Sequence, residues 1–154
     1  DSFRLALTGD GTDEFLGFEN IAKAYKMTKT SNLALAYAGV CNYRLAQYEE
    51  AIACLKKVDF NSPNLAPATV GLLGDCYVQL GDYKSALKYY EKAVKVENDL
   101  TAPLYLKKAA LIYEKEGNYS KAIENYTLIK DKYFKSMQAA DIEKYIERAK
   151  VLQQ

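Results

Sequence analysis

The chain has 154 residues, of which 49% are hydrophobic and 27% charged, a composition typical of an ordinary globular domain. Its 21 lysines and arginines balance 20 carboxylates, so the net charge of +1 gives no electrostatic footprint for nucleic acid or an anionic membrane. The sequence has no histidine, which removes the commonest general base and metal ligand, and no apolar run approaches the ~18 residues that a bilayer crossing needs.

Residues 1–30 predict an N-terminal helical half-unit. A short opening helix is ended by Gly9-Asp10-Gly11, since two glycines around an aspartate favour a turn. The acidic stretch 9–14 lacks the alternating oxygen ligands and closing glutamate of an EF-hand loop, so a turn is preferred to a calcium site. Thr12 is predicted to cap a second helix that reaches about Lys26 and packs on the following hairpin. Its buried side is expected to carry Phe15, Phe18, Ile21, Ala22 and Tyr25.

Three helical hairpins are predicted next, each made of a first helix, a tight turn and a second helix. Gly81 and Gly117 stand at the turns of the second and third hairpins, where a left-handed C-cap is wanted. A small residue recurs in the second helices at Ala51, Ala86 and Ala122, which are 35 and 36 positions apart. This is a period of about 34 residues with one or two added in the linkers. The hairpins are assigned to residues 31–66, 67–102 and 103–135.

The first hairpin departs from the other two. Ser31 is its expected N-cap, with helices from Asn32 to about Leu45 and from Tyr48 to Lys57. Ala46 takes the place of the turn glycine, and a left-handed alanine costs about 1 kcal/mol or more, so a turn of different shape is expected there. A turn-rich linker over 59–64 leads to the second hairpin, which is expected to start near Leu65.

Residues 136–154 predict a capping helix from about Met137 to Leu152. One side is expected to stack on the last hairpin and the charged side to meet water, as the exposed end of a stack of hairpins requires. The stacking side carries Ala139, Ile142, Ile146 and Ala149.

The three cysteines, Cys41, Cys54 and Cys76, have no Cys-x-x-Cys spacing. Cys41 and Cys76 take the same position in successive first helices, too far apart for the ~4.4–6.8 Å between Cα atoms that a disulfide requires. All three are predicted to be buried thiols that act as small hydrophobes, and their odd number leaves the compartment undecided.

The chain resembles the tetratricopeptide repeat (TPR) family over about Asn32 to Met137, in three units. The second hairpin fits the family pattern best, and the first departs from it at Asn42, Ala46 and Val58. The resemblance implies an all-α fold, a right-handed α-α superhelix (solenoid) of three helical hairpins between the N-terminal half-unit and the capping helix. The matching residues of the second hairpin are Val70, Leu73, Gly74, Tyr77, Gly81, Asp82, Tyr83, Ala86, Tyr90 and Ala93.

A narrower likeness is to bacterial envelope TPR proteins of the YfgM type. It covers short segments ahead of the hairpins, at 6–11, 17–18, 28–30 and 32–34, together with Tyr25. In that type a membrane helix comes first, and because this chain begins at Asp1 without methionine, an anchor upstream is expected. The likeness implies a role ancillary to protein export on the periplasmic side of the envelope, the alternative being the cytoplasm.

The TPR resemblance also implies a concave groove, lined by the first helices, that binds a peptide or protein segment. The groove positions are half apolar with scattered charges, which suits a segment laid along an apolar groove better than a clamp on a terminal carboxylate. The alternatives are contact with flanking helices for the apolar positions and a plain solvated face for the charged ones. The groove residues are Leu33, Val40, Tyr43, Arg44, Asp75, Val78, Gln79, Lys107, Leu111, Glu114 and Lys115, with Ala36, Ala68, Gly71 and Leu104 among them.

No catalytic arrangement is recognisable in the sequence. It lacks a phosphate-binding Gly-Lys-Ser/Thr motif and a nucleophile elbow, and no spacing makes Asp75 and Glu114 an acid–base pair. The tyrosines that could suggest a stacking platform for nucleic acid are accounted for by packing between repeats. The sequence therefore predicts a protein-binding scaffold or holding chaperone, with no enzymatic activity, cofactor, metal or nucleic-acid partner. The competing interpretation is an oligomerisation or anchoring module that contacts partners through its terminal helices.

Overall fold

The computed structural model describes residues 2–26, 28–59 and 66–154. Helices and turns make up these residues, and none of them is in a strand, which confirms the all-α fold class. The chain forms two compact units, residues 1–82 and 83–154. Most of the predicted linker at 59–64, together with the expected start of the second hairpin at Leu65, lies outside the described residues.

The described residues of the first unit form five helices. These are α1 (Ser2–Thr8), α2 (Gly17–Ala24), α3 (Lys29–Arg44), α4 (Tyr48–Leu55) and α5 (Ala66–Gln79). α1 packs on α2 and on α3, α2 packs on α3, α3 on α4, and α4 on α5. The opening segment and α2 therefore form a short hairpin that packs on the next one, as the sequence predicts.

The second unit contains four α-helices and one 3-10 turn. These are α6 (Tyr83–Val94), α7 (Ala102–Lys115), α8 (Tyr119–Lys132), the 3-10 turn (Met137–Ala139) and α9 (Ile142–Gln153). α6 packs on α7, α7 on α8, and α8 on α9, while the 3-10 turn contacts α7, α8 and α9. Chain neighbours are thus also packing neighbours, which is the arrangement of stacked hairpins.

Small residues stand where helices approach closely. Ala51, Ala86 and Ala122, which mark the sequence period, are all 0% exposed. A side chain placed on Gly39 of α3 would overlap Leu55 of α4, so glycine lets these two helices pack together. The period read from the sequence therefore selects positions where any larger side chain would separate packed helices.

The predicted start of α2 at Thr12 is wrong, because a local turn occupies residues 9–16. The Asp10 carboxylate accepts hydrogen bonds from the backbone N–H of Thr12 (2.9 Å) and from its hydroxyl (2.7 Å), which fixes the turn. Gly9 and Gly17 have φ of 77° and 72°, and their backbones approach so closely that neither position accommodates a Cβ. Phe15 consequently lies outside the helix and is 45% exposed rather than buried.

The predicted cap of the first hairpin is also wrong. α3 begins at Lys29, and Thr28 is its N-cap, accepting the N–H of Ser31 at 3.1 Å. Ser31 instead lies buried inside the helix, where its hydroxyl donates to the carbonyl oxygen of Ala22 at 3.0 Å. Tyr25 follows the end of α2 and is 52% exposed, so it does not belong to the buried side of that helix.

The turn at Ala46 has the same form as the two glycine turns, contrary to expectation. Ala46 has φ of 59°, against 77° for Gly81 and 75° for Gly117. The N–H of Ala46 donates to the carbonyl of Tyr43 (3.1 Å), and the next N–H donates to the carbonyl of Asn42 (2.9 Å). Equivalent bonds close both glycine turns. These two bonds offset the strain of a left-handed alanine, which is only about 1–2 kcal/mol.

The capping helix begins later than predicted. Met137 opens a separate 3-10 turn, and α9 starts at Ile142, with Asp141 at its N-cap in a non-helical conformation (φ −122°). Ile142, Ile146 and Ala149 are buried as expected, whereas Ala139 is only half-buried. Three of the four residues predicted for the stacking side, Ile142, Ile146 and Ala149, are therefore confirmed as buried.

Candidate protein-binding site

An exposed apolar stripe runs along α3 in the first unit. Leu33 and Val40, both predicted groove residues, are 41% and 37% exposed, and Arg44 is also exposed. Tyr37, which the sequence analysis missed, is 48% exposed and its ring stacks on that of Phe18 at 5.2 Å between centroids. The spacing i, i+4, i+7 and i+11 puts all four residues on one side of the helix and could have identified Tyr37. We call Leu33, Tyr37, Val40 and Arg44 the α3 stripe.

Tyr43 links α3 to α5 beside this stripe. A side-chain hydrogen bond joins Tyr43 to Gln79, and the Asp75 carboxylate lies close enough to act on the hydroxyl. Burial, followed by the charge of Asp75, raises the pKa of Tyr43 above its usual value, so the hydroxyl stays neutral at physiological pH. The Tyr43 ring meets Tyr48 edge-on at 5.7 Å. Tyr43, Asp75 and Gln79, all predicted groove residues, therefore lie together where α3 contacts α5.

The remaining predicted positions of this unit differ in exposure. Ala68 is exposed and Val78 is half-buried, both on α5. Ala36 and Gly71 are buried, so no partner can touch them without the helices moving apart. The predicted positions of the first unit that are exposed are therefore Leu33, Val40 and Arg44 on α3, with Ala68 and Gln79 on α5.

In the second unit Lys107 contacts the capping helix. Its ammonium lies 2.8 Å from the Asp141 carboxylate and 4.1 Å from the centre of the Tyr145 ring. The hydrogen bond from Lys107 holds the pKa of Asp141 below its usual value. Lys107 has only 19% of its side chain exposed, so it is neither an open groove residue nor part of a plain solvated face.

Glu114 is also engaged within the chain. It accepts hydrogen bonds from two nitrogens of Arg148, at 2.8 and 3.1 Å, and from the Tyr126 hydroxyl at 2.6 Å. Its side chain is 11% exposed. Burial, followed by the hydrogen bond to Glu114, raises the pKa of Tyr126 well above its usual value. Glu114 therefore ties α7 to α8 and α9.

The partners of these two residues were missed in the sequence, although a signal for them exists. Lys107 and Asp141 are 34 positions apart, and so are Glu114 and Arg148. Lys107 and Glu114, seven positions apart on α7, thus face Asp141 at the N-cap of α9 and Arg148, seven positions later, within α9. In each pair the two residues are one repeat period apart in the sequence and carry opposite charges, and this pattern predicts both ion pairs.

The other three predicted residues of α7 differ in their surroundings, and Leu104 is half-buried. Lys115 donates a hydrogen bond to the Tyr83 hydroxyl, and its ammonium lies 4.2 Å from the centre of that ring. Leu111 is 43% exposed. The apolar Leu111 is therefore the accessible position of this helix, while Lys107 and Glu114 are largely occupied.

Within the described segments, no group of three or more histidines, cysteines or acidic residues could hold a metal ion. Across those same residues, every helix is too short or too polar to span a lipid bilayer. Cys41 and Cys76 are buried free thiols, and Cys54 is half-buried and also unpaired with another cysteine. Burial raises the pKa of Cys76 to about 12, which matches the predicted role of a small hydrophobe.

Comparisons with known proteins agree with this architecture. The tetratricopeptide repeat family model matches residues 69–100 and 102–129. The crystal structure of MamA protein aligns with a TM-score of 0.57 and 19% sequence identity, covering 88% of this chain and 82% of that chain. At this identity the likeness concerns the fold alone. Comparison with the curated proteins finds no match. Two stretches of the chain are therefore similar to tetratricopeptide repeats, and the predicted fold of helical hairpins is confirmed.

Proposed function

We propose that this chain is a non-catalytic module that holds a peptide or protein segment on its first helices, as a scaffold or holding chaperone. Tetratricopeptide repeats generally mediate protein–protein interaction. The observation that carries the proposal is the α3 stripe, which presents three large apolar side chains to water on one side of one helix. Such an aligned row is what an apolar segment needs for docking.

The bound segment is apolar with few charges. Between its two ends at Lys29 and Arg44, α3 has no charged residue, and α5 has one, Asp75. A charged segment laid here would lose its hydration without gaining partners, at a cost of several kcal/mol per ion. An amphipathic helix or an extended strand with apolar side chains at regular spacing fits this surface.

The charged groove positions of the second unit take no part in this binding. Lys107 and Glu114 have partners on α8 and α9, and a ligand would have to displace those partners. Recognition in the second unit therefore centres on Leu111. A clamp on a terminal carboxylate is disfavoured, because the positions that correspond to its cations carry Ala36, Val40, Gly71 and Asp75, and only Lys107 has the required charge.

The test is peptide binding measured by fluorescence polarisation, with ligands selected from a displayed random library. Val40→Asp is expected to weaken binding at least about tenfold, since it puts a charge in an apolar contact. Val151→Asp is the matched control, because Val151 is an exposed valine of α9, 68% exposed, and should bind as the parent does. Each protein is checked for folding by circular dichroism. Equal peptide affinity of the parent, Val40→Asp and Val151→Asp would refute binding at the α3 stripe.

We further infer a role ancillary to protein export in the bacterial envelope. Its support is the set of short segments resembling the YfgM type of envelope protein, at 6–11, 17–18, 28–30 and 32–34. Affinity capture from envelope and cytosolic extracts with the parent and the Val40→Asp variant tests it. Export-machinery subunits or unfolded envelope proteins captured by the parent alone are the expected result, and a purely cytosolic set would contradict it.

A second candidate function is assembly through the terminal helices. Val151 and Leu152 at the end of α9 are 68% and 51% exposed, and Phe3 and Leu5 of α1 are 43% and 47% exposed. Deleting α9 is an unsuitable test, because it would also remove the partners of Lys107 and Glu114. A Val151→Asp/Leu152→Asp variant that loses partner binding, while Val40→Asp keeps it, would favour this function.

A further inference from the structure

The apolar side chains of the α3 stripe lie between two cations. Lys29 precedes Leu33 by four residues and Arg44 follows Val40 by four, so the cations lie on the same side of α3 as the apolar residues. Lys29 and Arg44 are both exposed. At about 1.5 Å of helix rise per residue, they stand about 22 Å apart along the axis. We call Lys29, Leu33, Tyr37, Val40 and Arg44 the five-residue row.

These two cations are unpaired. In the part of the chain that the structure describes, no carboxylate forms an ion pair with Lys29 or Arg44, whereas Lys107, Lys130 and Lys132 each have one. Lys29 is the first residue of α3, and the first turn of this helix has no acidic residue. A cation at a helix N-terminus opposes the helix dipole, so nothing in the helix compensates the charge of Lys29. Both positive charges are therefore available to a partner.

The row is ordered along its whole length. Thr28 caps α3 beside Lys29 by accepting a backbone N–H at 3.1 Å. In the middle, the ring of Tyr37 stacks on that of Phe18, with 23° between the ring planes. Just after Arg44, the N–H of Leu45 donates to a carbonyl of the last turn at 3.0 Å. Because these contacts exist before binding, a ligand loses less entropy in ordering the surface.

The spacing of the row favours a helical ligand. Its side chains follow one another at four, four, three and four positions, and a second helix laid antiparallel with the reversed spacing puts one side chain opposite each of them. In a strand, side chains on one face recur about every 6.6 Å, so four intervals span about 26 Å and lose register with the row. A helix therefore matches the row over its full length, whereas a strand does not.

The order of charges selects the chemistry of that helix. We propose that the five-residue row binds an amphipathic helix of another protein in which three apolar side chains lie between two carboxylates, one for Lys29 and one for Arg44. This inference rests on the proposed function and names the ligand of the same site. A nucleic-acid backbone is a poorer occupant, because its closely spaced phosphates would lie over the apolar side chains and lose hydration without a partner.

Fluorescence polarisation with two designed helical peptides of sixteen residues tests this ligand. The acidic peptide has glutamate at its first and last positions and leucine at its fifth, eighth and twelfth, and the neutral peptide has glutamine in place of both glutamates. We expect the acidic peptide to bind the parent about five- to tenfold more tightly at low salt, since an exposed ion pair adds little. In about 0.5 M NaCl this advantage should disappear, because salt screens exposed charges.

Charge reversal in the protein provides a second measurement. Lys29→Glu/Arg44→Glu is expected to lose the preference for the acidic peptide and to prefer a third peptide that has lysine at both ends. Lys84→Glu/Lys88→Glu is the matched control, because it reverses two exposed lysines of α6 and changes the net charge equally. This control should prefer the acidic peptide as the parent does. Circular dichroism checks the folding of each variant.

Four results would overturn the inference. If the parent binds the acidic and neutral peptides equally while Val40→Asp weakens both, the charged ends fail and the proposed function stands. If neither peptide binds the parent, or if Val40→Asp binds both as the parent does, the helix does not lie on the row. A preference lost equally in Lys84→Glu/Lys88→Glu would mean that only overall charge matters. Displacement of the acidic peptide by duplex RNA or phosphatidylserine vesicles, absent in Lys29→Glu/Arg44→Glu, would identify a polyanion as the occupant.

Discussion

Replacing Glu114 with alanine tests how the capping helix is held in the second unit. The change removes an acceptor from the Tyr126 hydroxyl, on a residue that is 0% exposed, and an unsatisfied buried hydroxyl costs about 1–3 kcal/mol. It also removes the partner of Arg148, whose side chain is 46% exposed, so that ion pair contributes only about 0–1 kcal/mol. The buried hydroxyl therefore dominates, and we expect the free energy of unfolding to fall by about 2–3 kcal/mol.

Thermal and urea unfolding followed by circular dichroism measure this effect. For a chain of this size the loss corresponds to a decrease in Tm of roughly 4–12 °C. Tyr126→Phe removes the hydroxyl, so adding Glu114→Ala to it should cost less than Glu114→Ala alone, with a coupling of about 1–2 kcal/mol. Glu147→Ala, which breaks an exposed pair with Lys150, is the control and should change stability by no more than about 0.5 kcal/mol. Additive effects of the two changes, or a Glu114→Ala effect as small as the control, would refute the reasoning.

Three further predictions concern single positions. Ala46→Gly should stabilise the protein by about 0.5 kcal/mol in urea unfolding, because relief of a left-handed alanine exceeds the added chain entropy of glycine; a clear loss of stability would contradict this. The Lys107 hydrogen bond lowers the pKa of Asp141, so its stabilisation is present above the unfolded value of about 3.9 and is lost as pH falls through the lower folded value. The stability difference between the parent and Asp141→Asn should accordingly be constant above about pH 4 and vanish in stronger acid, and a difference that grows in acid would show the sign to be wrong. Native alkylation at pH 8, read by mass spectrometry, should label half-buried Cys54 before Cys76, whose pKa of about 12 keeps it a neutral thiol, and the reverse order would contradict the burial.

The sequence was informative wherever structure follows from short-range patterns. Gly117 was predicted to stand at the turn of the third hairpin, and it lies between α7 and α8, because a turn glycine and regular apolar spacing are both strong local signals. The buried alanines at 51, 86 and 122 were likewise found from their period. Local propensity and tertiary packing agree at these places.

Prediction failed at residues whose side chain suits two different local conformations. Thr12 is a good N-cap residue, but Asp10 holds it in a turn instead. Ser31 is an equally good N-cap residue, yet its hydroxyl is used to bond the carbonyl of Ala22 on the preceding helix. Ala46 was expected to change its turn, whereas the turn hydrogen bonds outweigh its strain. In each case a contact a few residues away decides between conformations of similar energy.

The candidate site was predictable in part. Exposed Leu33, Val40 and Leu111 follow from the family's groove positions, whereas the engagement of Lys107 and Glu114 depends on how α9 packs. Periodicity places residues on a side of a helix, but it does not state which neighbouring side chain will reach them. The binding role of the accessible positions stays a prediction.

Photo-crosslinking at Tyr37 is the most direct test of the binding role. Para-benzoylphenylalanine would replace Tyr37 of the α3 stripe or, as the control, Leu128, which is 40% exposed on α8, a second helix. With a selected apolar peptide bound, we expect the position 37 protein to crosslink to the peptide and the position 128 protein to remain uncoupled. A crosslink at 128 without one at 37 would contradict binding on the first helices.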